Sequence, residues 1–121
     1  QDRDGALLRL AIAGKRLGHP QAKTWRQDYR ARMAMDQNTG RQRHLREHAR
    51  FMLEVENDPQ TALTLARENW QQQRELADLR LLHAAASAAG DQNALAKLQT
   101  FLDRYNVADA QLSQPVRGAA Q

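Results

Sequence analysis

Cysteine is absent from the chain, so no disulfide framework and no thiolate metal site can form. Aromatic residues make up only 5% of the sequence, and the β-branched residues Val, Ile and Thr are scarce. The residues that favour pleated strands are therefore largely missing. Lysine occurs only at Lys15, Lys23 and Lys97, which leaves arginine to carry most of the positive charge. No uninterrupted apolar stretch approaches the length of a membrane span. What fills the 121 residues instead is Ala, Leu, Arg, Gln and Glu, the better helix formers, with 41% hydrophobic and 26% charged residues. Helix is the expectation throughout, in one domain large enough to bury a core. Gln1 stands where an initiator Met would, which fits a mature or excised piece; the expected compartment is the cytoplasm or, if a signal peptide was removed, a place outside it.

The net charge of +4 is unevenly distributed. Positions 23–50 hold eight basic residues against Asp28, Asp36 and Glu47, whereas positions 51–109 hold nine acidic residues against five basic ones. Such asymmetry points to a partner or to self-association and says nothing of fold.

Apolar spacing and punctuation predict six helices in three pairs. The first runs from about Asp4 to Leu17 with an apolar stripe of Leu7, Leu8, Leu10, Ala11, Ala13 and Leu17, and Gly18-His19-Pro20 ends it. The second reaches about Gln37, with Ala22, Trp25, Tyr29 and Met33 inward, followed by a loop at Asn38-Thr39-Gly40. The third spans about Arg41 to Glu56, with Leu45, Ala49, Met52, Leu53 and Val55 inward. Asn57-Asp58-Pro59 then supplies a stop, an N-cap and a first-turn proline. The fourth extends to about Gln73 on Ala62, Leu63, Leu65, Ala66 and Trp70, and the fifth covers Leu76 to Ala89 on Leu79, Leu82, Ala85, Ala86 and Ala89. Gly90-Asp91 opens the sixth, which carries Ala94, Leu95, Leu98, Phe101, Leu102 and Tyr105. One more short turn is expected over 107–112, and 113–121 lacks a helical pattern and is expected to fray, giving a domain over 1–112 and a flexible tail.

Ala62, Leu63, Ala66 and Trp70 recur as Ala94, Leu95, Leu98 and Leu102, each 32 positions later, and Asn57-Asp58 recurs as Gly90-Asp91, 33 later. A helix pair repeated at that period is the pattern of stacked hairpins, each needing a neighbour to bury its second face. A plain helical bundle also satisfies these connection lengths.

The stretches His44-Leu45-Arg46-Glu47-His48-Ala49-Arg50-Phe51, Asp58-Pro59-Gln60-Thr61-Ala62-Leu63, Ala66-Arg67-Glu68-Asn69-Trp70 and Ala88-Ala89-Gly90-Asp91 resemble the carboxy-terminal repeats of bacterial tetratricopeptide-repeat proteins. The resemblance covers about Gly5 to Leu112. It implies an all-α, right-handed array of helical hairpins with a concave interaction groove, bacterial origin, and a binding scaffold in place of an enzyme. No Asn stands where the chaperone-tail carboxylate clamp of related repeats needs one, so that activity is not expected.

Three constellations bear on chemistry. His44-Leu45-Arg46-Glu47-His48 fits the H-x-x-E-H pattern of inverted zinc proteases, in which two His one turn apart chelate the metal and the Glu acts as base. A third ligand is wanting, because His19 and His83 have no ligand spacing; zinc hydrolysis is therefore the weakest reading, with no catalytic, cofactor or metal residue assigned. Nucleic acid is the other alternative: Trp25 and Tyr29 lie in the basic stretch, but they share the apolar stripe of Met33, and the acidic second half repels phosphate. The favoured reading is a groove for a protein or peptide partner. Arg43, Arg46 and Arg50 share one helical face and suit a carboxylate-bearing, acidic partner, or else form a solvated face; Arg80, His83 and Ser87 form a polar stripe on the fifth helix. Apolar faces at the ends of such an array also favour homo-oligomers.

Overall fold

The computed structural model describes residues 3–38 and 44–105. These form six α-helices and no strand: α1 (Arg3–Leu17), α2 (Ala22–Asn38), α3 (Leu45–Glu54), α4 (Pro59–Gln72), α5 (Leu76–Ala89) and α6 (Gln92–Arg104). The expected extension of the third helix to Arg41, the rest of the loop after Asn38, the turn over 107–112 and the tail 113–121 lie outside the described residues. At its other end α3 stops at Glu54, shorter than expected.

The turns work as their residues dictate. Gly18 and Gly90 take left-handed φ of 63° and 67°, where an L side chain is disfavoured. Each lets the next backbone N–H fold back onto the helix, His19 onto the Gly14 carbonyl at 2.9 Å and Asp91 onto that of Ala86 at 3.1 Å. Asn57 does the same at φ 56°. Asp58 then caps α4, accepting from the Thr61 backbone N at 3.2 Å ahead of Pro59, and Asp91 caps α6 through Ala94 N at 3.0 Å. The equivalence of Asn57-Asp58 and Gly90-Asp91 is thus structural as well as textual.

Three apolar clusters follow one another along the chain. Leu8, Ala11 and Ile12 of α1 meet Tyr29 of α2, Phe51 of α3 and Val55 just past its end. Leu45 and Ala49 of α3 meet Ala62, Leu63, Leu65 and Ala66 of α4 and Leu81, Ala85 and Ala86 of α5. Leu79 of α5 meets Leu98 and Leu102 of α6, with Trp70 and Phe101 edge to face at 5.3 Å. α3 packs against α1, α4 and α5, while α2 pairs with α1 and α6 with α5. Such packing between neighbouring helices fits a helical repeat. Gly14 permits a close approach within the first hairpin: a Cβ there would stand 2.8 Å from Cε3 of Trp25.

The apolar stripe of α1 is narrower than its sequence suggests. Leu8, Ala11 and Ile12 are buried, but Leu10, Ala13 and Leu17 are exposed, because among the described residues α1 packs on α2 and α3 through the side that carries Leu8, Ala11 and Ile12. Conversely Phe51, with no exposed surface, and Leu81 are core residues that the apolar spacing did not single out.

Candidate partner-binding face

The basic face of α3 is largely engaged with the protein's own acids. Arg43 lies outside the described residues. Arg46 crosses from α3 to α5, donating from Nε to Asp78 Oδ1 at 2.6 Å and from Nη2 to Asp78 Oδ2 at 2.9 Å, the fork geometry arginine favours. Its Nη2 also reaches Glu75 Oε1 at 2.9 Å. Asp78 is 1% exposed and accepts further from Asn69 Nδ2 of α4 at 2.6 Å and from the Glu75 backbone N at 3.0 Å. Burial pushes its carboxyl up, but the donors from Arg46, Asn69 and the Glu75 backbone outweigh that and hold it below the usual carboxylate range. The same contact, chiefly the hydrogen bond to Asp78, raises the Arg46 guanidinium above its ordinary value. Asp78, taking Arg46 of α3 and Asn69 of α4, is therefore a pin between α3, α4 and α5. Beside it opens a polar cleft of about 630 Å³ whose walls include His44, Glu47, Gln72 and Gln73.

Arg50 donates to Glu54 Oε2 at 3.1 Å, and Glu54 Oε1 accepts from Arg16 of α1 at 2.7 Å. One carboxylate is thus shared by two guanidiniums on adjacent helices, and both remain accessible, with side chains 42% and 71% exposed. Lys15 completes the junction by donating to the carbonyl of Val55 at 2.8 Å, where a cation favours the negative end of α3. Glu56, just past that end, takes both Arg26 and Arg30 of α2, with Arg30 at 2.6 and 2.7 Å. Arg30 chiefly, then Arg26, pull its carboxyl down to about 2 against the effect of burial.

On α5, Arg80 and His83 are half-buried, and desolvation lowers His83 below its ordinary value. Ser87, one turn on from His83, has a buried Oγ that meets no hydrogen-bond partner. The structure thus brings Arg46 against the N-terminal turn of α5 and leaves Arg50, Arg80, His83 and Ser87 on two adjacent helices outside the apolar clusters.

The H-x-x-E-H residues take separate paths. His48 is 4% exposed, with Nδ1 against the Tyr29 hydroxyl and Nε2 against Asp36 Oδ2, both at 2.9 Å. Desolvation lowers its pKa, and Asp36 offsets only part of that. His44 is exposed, 3.9 Å from Glu47, with its ring centroid 6.2 Å from that of His48. Both nitrogens of His48 are already used within the protein, so the pair presents no chelate. No group of three or more His, Asp or Glu suited to a metal ion occurs among the described residues.

Sequence reasoning missed Asp78, Asn69, Glu56 and the Tyr29–His48–Asp36 link. A signal existed for the first: Glu75 and Asp78 stand three apart at the head of an apolar run, the spacing of a capping box. Among the described residues, no helix is long and apolar enough to cross a membrane. No protein-family model, no curated protein and no solved structure matches the chain.

Proposed function

We propose that the chain is a protein–protein interaction module, a tetratricopeptide-like array whose α1, α3 and α5 together present a groove to an extended acidic segment of a partner. The observation that carries this reading is the sharing of Glu54 between Arg16 and Arg50; α5, which packs on α3, carries Arg80, His83 and Ser87. Two accessible guanidiniums on a single carboxylate leave positive charge for an incoming acid, and Arg50 and Arg80 lie on helices that touch. Arg46 serves the groove as the fixed wall that sets the spacing of α3 and α5. Arg43 belongs to the same helical face by its spacing.

The test separates the two kinds of arginine. Affinity capture from a bacterial lysate is run with the wild type and with Arg50→Glu, where the side chain replaced is 42% exposed and its partner Glu54 keeps Arg16. Arg46→Glu is unsuitable as the variant, since it would set a second carboxylate against buried Asp78. A species held by the wild type and lost by Arg50→Glu supports the groove. Equal capture by both sinks the assignment.

A further inference from the structure

We propose that the groove between α4 and α6 is a binding site for a small aromatic carboxylate. Its cavity of about 260 Å³ is walled by Trp70, Leu82, Leu98 and Phe101, and Arg67 and Lys97 also line it. That volume lies just under the range of pockets for drug-sized ligands, so it suits one ring system with a short acid arm. Trp70 and Phe101 stand at 86° to each other with centroids 5.3 Å apart. One ring therefore shows a face where the other shows an edge, and a third ring can stack on the first while meeting the second edge-on. Both side chains are only half-buried.

The charges select the class of ligand. Lys97 stands one turn before Phe101 on α6, and Arg67 one turn before Trp70 on α4. Arg67 reaches Asp91 at the start of α6, whereas Trp70, further along α4, meets Phe101 further along α6. The two walls thus run the same way, which sets both cations towards one end and both rings towards the other. Arg67 gives Asp91 one hydrogen bond at 3.1 Å and keeps its side chain 52% exposed. Lys97 is exposed and has no hydrogen-bond or ion-pair partner among the described residues. No acid stands among the described residues that line this groove, in contrast to the cleft beside Arg46, which Glu47 and Glu75 share. A carboxylate at Lys97 and Arg67 with its ring on Trp70 and Phe101 satisfies both ends, whereas a cationic ligand meets like charge. The site shares no residue with the face of Arg16, Arg50, Arg80 and His83 and stands without that reading.

Titration of 3-phenylpropionate into the ¹⁵N-labelled chain tests it, with 3-phenylpropanol and hexanoate as controls that lack the charge and the ring. The acid is expected to saturate with a Kd of about 1 mM or below, shifting the Trp70 indole N–H and the amides of Lys97 and Phe101. Each control should bind about tenfold more weakly or worse. Lys97→Gln should weaken the acid about threefold or more and leave the alcohol as it was. Its helical circular dichroism should not change, since the side chain replaced is exposed and without a partner. An acid that fails to saturate by about 10 mM, shifts centred on Trp25, a control that binds as well as the acid, or an affinity indifferent to Lys97→Gln would each overturn the proposal.

Discussion

Asp78→Ala removes a carboxylate that is 1% exposed and that takes up Arg46 at 2.6 and 2.9 Å and Asn69 at 2.6 Å. Breaking one partner out of a buried ion pair costs about 3–5 kcal/mol, because the other charge is left without compensation. Arg46 recovers part of that here, since its side chain is 29% exposed and Glu75 stays within reach. Asn69 recovers nothing: its amide is 3% exposed, and a buried donor left unsatisfied costs about 1–3 kcal/mol. The capping bond from the Glu75 backbone is lost as well. The net expectation is a loss of about 3 kcal/mol, or a fall in Tm of about 12 °C for a domain of this size. Urea unfolding followed at the far-UV helical signal measures it, and the slope should stay constant so that only the midpoint moves. The double variant Arg46→Met, Asp78→Leu should lose less than the sum of its single variants, since no lone charge is left behind. A loss below about 1 kcal/mol for Asp78→Ala would refute the view of this node as the pin of α3, α4 and α5.

Other expectations follow from the same geometry. Glu56 is held at about 2 by Arg30 and Arg26, so its contribution is present above the ordinary carboxylate range and fades as pH falls from about 4.5 to 2. Glu56→Gln should flatten that part of the stability curve and cost about 1 kcal/mol near neutrality, the arginines being 44% and 48% exposed. His48, lowered by burial, favours its neutral form in the fold, so stability should decline as pH drops below about 6.5; His48→Phe should reduce that dependence to the part that His83, lowered likewise, contributes. Equimolar zinc should leave Tm unchanged, because both ring nitrogens of His48 are occupied; a rise of several degrees would contradict this. Gly14→Leu should cost about 2 kcal/mol by driving α1 off Trp25, readable in the urea midpoint.

Periodicity and punctuation made the helices legible, because Gly18, Asn57-Asp58-Pro59 and Gly90-Asp91 act locally: each sets its own φ or caps the helix that follows it. The core was legible where a helix is buried on one broad side, as in α4, and misread where it has two partners or too few. Phe51 lies off the stripe of Leu45 and Ala49 because α3 touches α1 as well as α4 and α5, so its second buried side reads as noise. Leu10 and Leu17 read as core because apolar spacing cannot say whether a neighbour exists. The candidate site was half legible. Shared helical faces follow from spacing, so Arg46 with Arg50 and His83 with Ser87 could be grouped in advance. That Arg46 spends its charge on Asp78, 32 residues away, is a tertiary contact with no local trace.

The groove itself is tested most directly by titrating a short oligoglutamate peptide into the ¹⁵N-labelled chain and mapping amide shifts. The account predicts saturable, salt-sensitive shifts gathered at Arg16, Arg50, Arg80, His83 and Ser87, and their loss in Arg50→Glu. Shifts confined to the α2 arginines, or spread over the surface without saturation, would contradict it.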